Sequence, residues 1–143
     1  MSRPKRKCCV KYPPTVDGFK PFGLPINTLE PVILLCEEYN SLRLCDYEGL
    51  TQEQAAERMS VSRPTFTRIY EKARRAVAQA FVEGCTIVIE GGNYYSENSW
   101  YRCSSCQKLV VTQSETDTCE FCQCKKLRKL SSNYFKTETI IKK

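Results

Sequence analysis

The chain has 143 residues, 22 Lys and Arg against 16 Asp and Glu, ten cysteines and no histidine, for a formal net charge of +6. No stretch approaches the ~20 apolar residues of a membrane-spanning helix, and no apolar run follows the basic N-terminus as a secretory signal requires. A cytoplasmic protein with no membrane partner is therefore expected, and in that reducing compartment clustered cysteines point to metal rather than to disulfides.

Charge is unevenly spread. Residues 1–12 carry five cations and no acid and residues 125–143 carry seven cations and one acid, whereas 13–49 and 85–124 are net −4 and net −3. Two basic tails and a basic central segment suit a polyanionic partner. Solvated tails that only aid solubility are the plainer alternative.

Residues 1–28 read as a basic, proline-rich arm. Arg3, Lys5, Arg6 and Lys7 open it, and five of the seven prolines argue against regular structure before Thr28. From Leu29 to Asp46 the pattern turns helical: Val32, Leu35, Cys36, Tyr39, Leu42 and Cys45 recur at steps of three and four, with Pro31 tolerated in the first turn. Gly49 ends that element. Thr51 to Gln54 has the form of a capping box, which starts a second helix reaching about Met59. Ser62 is an N-cap for a third helix and Gly84 its C-cap. Residues 85–92 then read as one short strand and a turn.

Two short helices joined by a tight turn pack closely only where small residues sit at their crossing, and Ala55 and Ala56 supply them. On the third helix Phe66, Ile69, Tyr70, Ala73, Val77 and Phe81 gather on one side, with Thr65, Arg68, Lys72 and Arg75 opposite. This is the pattern of a DNA-binding helix-turn-helix, whose second helix enters the major groove. Arg63, Thr65, Thr67 and Arg68 are the candidates for base edges, and Lys72 and Arg75 for phosphates. The front arm (Arg3, Lys5, Arg6, Lys7) is expected to track the DNA backbone or enter a minor groove, and the rear cations Lys125, Lys126, Arg128 and Lys129 to add mainly nonspecific attraction. A purely structural helical pair is the competing reading.

The segment "EEYNSLRLCDYEGLTQEQAAERMSVSRPTFTRIYEKARRAVAQAFVEGCTIVIEGGNY", with "RPKRK" and "FKPFGLP" before it, resembles the prokaryotic family known as domain of unknown function 134. The resemblance covers about residues 3 to 94. It implies DNA binding through a helix-turn-helix like region 4 of sigma-70 factors, and transcriptional control. Ser60 departs from it, standing where such turns usually carry glycine.

Residues 100–130 form a cysteine-rich module. Cys103-x-x-Cys106 and Cys119-x-x-Cys122 are two knuckles, each offering two thiolates to one tetrahedral ion, and "KLVVTQ" between them is strand-like. One structural zinc per chain is expected, in a module resembling a zinc ribbon, with an iron–sulfur centre or free redox thiols as alternatives. Cys124 is a fifth thiol able to replace Cys122 or to remain free and make the site oxidisable. Cys36, Cys45 and Cys85 sit at apolar-patterned positions and read as core residues, and Cys8 and Cys9 lack paired spacing. Residues 131–143 form a basic tail.

The expected fold is mainly α: a helical domain over 29–94, followed by the small β zinc-ribbon-like module. The expected function is sequence-specific binding of double-stranded DNA, as a transcriptional regulator and with a homodimer as one way to gain affinity. An adaptor that associates with RNA polymerase is the alternative, and a thiol or metal redox sensor is a further one. No enzyme is expected, because the chain has no histidine, no nucleotide-binding glycine loop and no paired acid and base.

Overall fold

The computed structural model of the chain describes residues 7–23 and 29–130. Arg3, Lys5, Arg6 and the tail 131–143 lie outside the described residues. Twelve elements follow one another: β1 (Cys8–Cys9), β2 (Gly18–Phe19), β3 (Val32–Leu34), α1 (Cys36–Leu42), a π-turn (Arg43–Tyr47), α2 (Gln52–Arg58), α3 (Arg63–Glu83), β4 (Ile87–Ile89), β5 (Tyr94–Tyr95), β6 (Ser99–Cys103), β7 (Leu109–Thr112) and β8 (Leu127–Leu130).

The chain is not mainly α. Of the described residues 34% are helical and 21% strand, and those strands form three small sheets. The order β2-β4-β3 covers one side of α3, β1 pairs in parallel with β5, and β7-β6-β8 is antiparallel. The difference begins at Val32. Val32, Ile33 and Leu34 pair in parallel with Ile87, Val88 and Ile89, so the helical reading from Leu29 onward holds only from Cys36. β-branched residues behind Pro31 favour the strand. Two further strands, β1 and β2, stand in the proline-rich segment where none was expected.

The helix boundaries follow local chemistry. Thr51 Oγ1 accepts the Gln54 N–H at 3.1 Å, and the Gln54 side chain accepts the Thr51 N–H at 3.0 Å, closing the capping box. Ser62 caps α3 and Pro64 stands in its first turn, where a missing N–H costs nothing. Gly84 ends the helix at φ 74°, a left-handed conformation that favours glycine. Ser60 takes φ 57° in the turn between α2 and α3. A serine therefore bears the backbone strain that glycine would avoid.

The largest core cluster gathers around α2 and α3. Ala55, Met59 and Phe66 are fully buried, and Val10 of the N-terminal segment joins them with no exposed surface. Cys9 N–H donates to the Met59 carbonyl at 2.9 Å, pinning that segment to the turn between the helices. Tyr94 and Trp100 close the cluster with their rings stacked at 6.0 Å. Trp100 Nε1 donates to the Lys11 carbonyl at 3.1 Å and Arg102 donates to the Thr15 carbonyl at 2.8 Å. Residues 8–15 thus bracket the helices on one side and β6 on the other. Phe81 was expected on the buried stripe of α3 but is 86% exposed, and Ala80 is buried instead. Among the described residues no helix is long and apolar enough to cross a membrane.

Candidate metal centre and basic helix face

β6 delivers Cys103 to the end of the β7-β6-β8 sheet, where the chain turns back into β7. The turn is built by backbone bonds: Cys103 N–H to the Lys108 carbonyl at 3.0 Å, and Gln107 N–H to the Cys103 carbonyl at 3.0 Å. The second knuckle repeats it, with Cys119 N–H to the Cys124 carbonyl at 2.8 Å and Gln123 N–H to the Cys119 carbonyl at 2.9 Å. Gln107 and Gln123 occupy the same place in each and share a left-handed backbone, at φ 64° and 62°. The two knuckles are one motif used twice.

This repeat decides between Cys122 and Cys124. Cys124 is the counterpart of Lys108, so its carbonyl closes the turn and its sulfur lies outside the cluster. Cys124 Sγ instead accepts the Lys126 N–H at 3.2 Å. The sulfurs of Cys103, Cys106, Cys119 and Cys122 all lie within 4.8 Å of one another. Cys103 to Cys122 is 3.6 Å and Cys106 to Cys119 is 3.7 Å. Disulfide sulfurs would be ~2.05 Å apart, whereas a tetrahedral ion with ~2.3 Å bonds to sulfur separates its ligands by about 3.8 Å. The four cysteines therefore fit one metal ion.

The electrostatics agree at Cys103, while Cys106 and Cys122 are held above the ordinary thiol value. The Cys106 N–H, aided by that of Ser105, donates to Cys103 Sγ and brings its pKa down to about 6 against desolvation. Backbone donors thus favour a thiolate at a residue with no solvent exposure. Four thiolates this close repel one another, and a cation at their centre removes that repulsion.

The basic side of α3 is the second candidate. Arg63, Arg68, Lys72 and Arg75 are exposed, while Phe66, Tyr70 and Ala73 on the other side are buried. Thr65 is half-buried: its Oγ1 accepts from the Ser62 hydroxyl at 2.9 Å and from the Arg68 guanidinium at 3.3 Å. Thr67 is half-buried too, and its hydroxyl donates to Gln52 Oε1 at the start of α2. Thr67 thus steadies a neighbour, and sequence reasoning missed that neighbour, Gln52. Its signal was its place directly after the capping Thr51.

Tyr70 anchors the helix by donating to Asp46 Oδ1 of the π-turn at 2.7 Å, and Arg74 lies 5.4 Å from the Tyr70 ring. Lys7 is exposed immediately before β1. Lys125, Lys126, Arg128 and Lys129 are exposed around the second knuckle and β8, with Lys129 paired to Glu115 at 2.8 Å.

Comparison with known proteins agrees with the resemblance read from the sequence. A family described as "Protein of unknown function DUF134" matches residues 1–97. A UPF0251 protein of Thermoanaerobacter pseudethanolicus is 52% identical over 94 residues, covering 66% of this chain and 80% of that protein. A UPF0251 protein of Chloroherpeton thalassium is 44% identical over 124 residues, covering 85% of this chain and 82% of its own. One from Clostridium tetani is 39% identical over 129 residues, covering 89% of this chain and 88% of its own. That last alignment is long enough to run through most of the cysteine module, beyond the residues that the family match spans. No solved structure matches the chain. The chain belongs to the DUF134 family.

Proposed function

We propose that this member of the DUF134 family is a sequence-specific binder of double-stranded DNA, a transcriptional regulator. In this reading α2 and α3 act as a helix-turn-helix and one zinc ion is held by Cys103, Cys106, Cys119 and Cys122. The observation that carries it is the division of α3 into a buried apolar side and an exposed side bearing Arg68, Lys72 and Arg75. A major groove about 12 Å wide admits one helix. Arg63 and Arg68, near the N-terminal end of α3, are the groups that would reach guanine edges, and Lys72 and Arg75 suit phosphates. Gln52, Thr65 and Thr67 keep that end of the helix in register through their hydrogen bonds.

Zinc is the ion that this donor set favours. Four thiolates in a small tetrahedron suit zinc, and sulfurs within 4.8 Å of one another match a single ion more closely than a multi-iron core. With all four positions taken by protein, the ion organises structure instead of catalysing a reaction. Its chemical contribution is to neutralise the thiolates and lock the two knuckles together.

A second reading is favoured by Phe81 and Val82, which are 86% and 80% exposed at the end of α3. Such a patch suits a protein partner, either a second copy of the chain or RNA polymerase. Titration of full-length protein against duplexes of differing sequence separates the readings. A regulator prefers some duplexes strongly, whereas an adaptor binds all of them weakly and equally.

A further inference from the structure

The second knuckle carries an aromatic ring that stands outside the module's core. Phe121 stands between Cys119 and Cys122 and is 52% exposed. The first knuckle, built by the same backbone bonds, has Ser105 in that place. The turn geometry therefore does not require a ring there. Phe121 is not part of the small core that Tyr101, Cys103, Val110 and Cys119 form beneath it.

One cation lies against this ring, and three more follow the second knuckle along the chain. The Lys108 ammonium lies 4.8 Å from its centroid, a distance at which the charge is attracted to the ring face. Lys125, Lys126 and Arg128 are exposed and form no ion pair among the described residues. Across residues 100–130 six cations stand against three acids, and Glu115 is already neutralised by Lys129.

An exposed ring on a braced turn, with one cation against it and more following in the chain, is a stacking platform. Unpaired bases offer a free face to it, while their phosphates lie against the cations. Bases inside a duplex are already stacked and offer no such face. We infer that the second knuckle binds single-stranded nucleic acid, with one base stacked on Phe121 and the backbone held by Lys108, Lys125, Lys126 and Arg128. This site goes beyond the proposed duplex-binding role of α3 and does not depend on it.

The test uses full-length, metal-loaded protein and fluorescence anisotropy. The probes are an oligothymidine of about twelve nucleotides, an abasic strand of the same length, and a hairpin duplex. Phe121→Ala should bind oligothymidine about tenfold more weakly than the wild type, while abasic and duplex binding stay unchanged. Phe121→Trp should retain oligothymidine affinity. Metal content and circular dichroism matching the wild type establish that the variants are folded. Equal affinity of the wild type for the thymidine and abasic strands would overturn the inference, because attraction would then be charge alone. Wild-type-like binding by Phe121→Ala would overturn it as well. A wild type with no single-strand affinity would overturn it too and leave the ring to a protein partner. Since the duplex arm is read separately, failure here is distinguishable from failure of the α3 reading.

Discussion

Arg68 and Lys72 stand about one turn apart on the exposed side of α3, and their chemistry assigns them different work. A guanidinium can meet a guanine with two bonds, whereas an ammonium acts mainly as a charge against phosphate. Arg68→Ala should cost about 1–3 kcal/mol on the preferred duplex and relax its sequence preference. Lys72→Ala should weaken all duplexes alike and lower the salt dependence by about one ion. Titration at two salt concentrations reads both effects. Unchanged binding in both variants would show that α3 does not face DNA.

Glu90 carries a different signature. Both of its carboxylate oxygens are closed to solvent with no hydrogen-bond partner, and burial raises its pKa. A raised folded-state value means that protonation stabilises the fold. That stability is fully present below the unfolded carboxyl's pKa of about 4.3 and is lost as pH rises through the raised value. Glu90→Gln should therefore stabilise the protein by about 1 kcal/mol at neutral pH. The gain should vanish at about pH 4, as denaturant melts at both pH values would reveal. Equal effects at the two pH values would exclude the carboxyl charge as the cause.

At the scale of elements, the knuckle repeat makes a sharp distinction between two neighbouring thiols. Cys122→Ser should lose the metal, because its sulfur belongs to the cluster, while Cys124→Ser should keep it. Elemental analysis after gel filtration would decide, and the reverse result would show that the second knuckle closes around Cys124. Chelation should unfold the knuckle end of the β7-β6-β8 module, whose own core is only a few residues, while Trp100 stays in the main core.

These cysteines were legible in the sequence because ligand spacing is local, as were the caps of α2 and α3 at Thr51, Ser62 and Gly84. The sheets were not. Cys8–Cys9 and Gly18–Phe19 are two residues long and pair with partners near the far end of the helical segment, so neither offers a periodic signal. Val32 and Leu35 fitted helical spacing, but a β-branched run pairs as well with Ile87–Ile89. The exposed Phe81 marks the other limit of periodicity. A helical wheel gives direction, not how far along the axis a neighbour extends.

Across the whole molecule, residues 8–15 tie the helical part to β6 through hydrogen bonds made by their backbone and through the buried Val10. Trp100 is 3% exposed within the main core, although it belongs to the strand that leads to Cys103. Deleting residues 99–143 should therefore open the core around Tyr94, Val10 and Met59 and lower the melting temperature of the helical part. A deletion that leaves the melting temperature unchanged would mean that the cysteine module hangs freely. The same bracket implies that rear truncation alters DNA affinity through stability as well as through lost cations.

In the proposed role, the exposed side of α3 reads DNA sequence. The most direct measurement is selection of bound duplexes from a randomised pool by the full-length, zinc-loaded protein, run beside Arg68→Ala. The wild type should enrich one short shared sequence, and the variant should lose or broaden it. An unenriched pool, or the same sequence recovered with and without Arg68, would contradict that role.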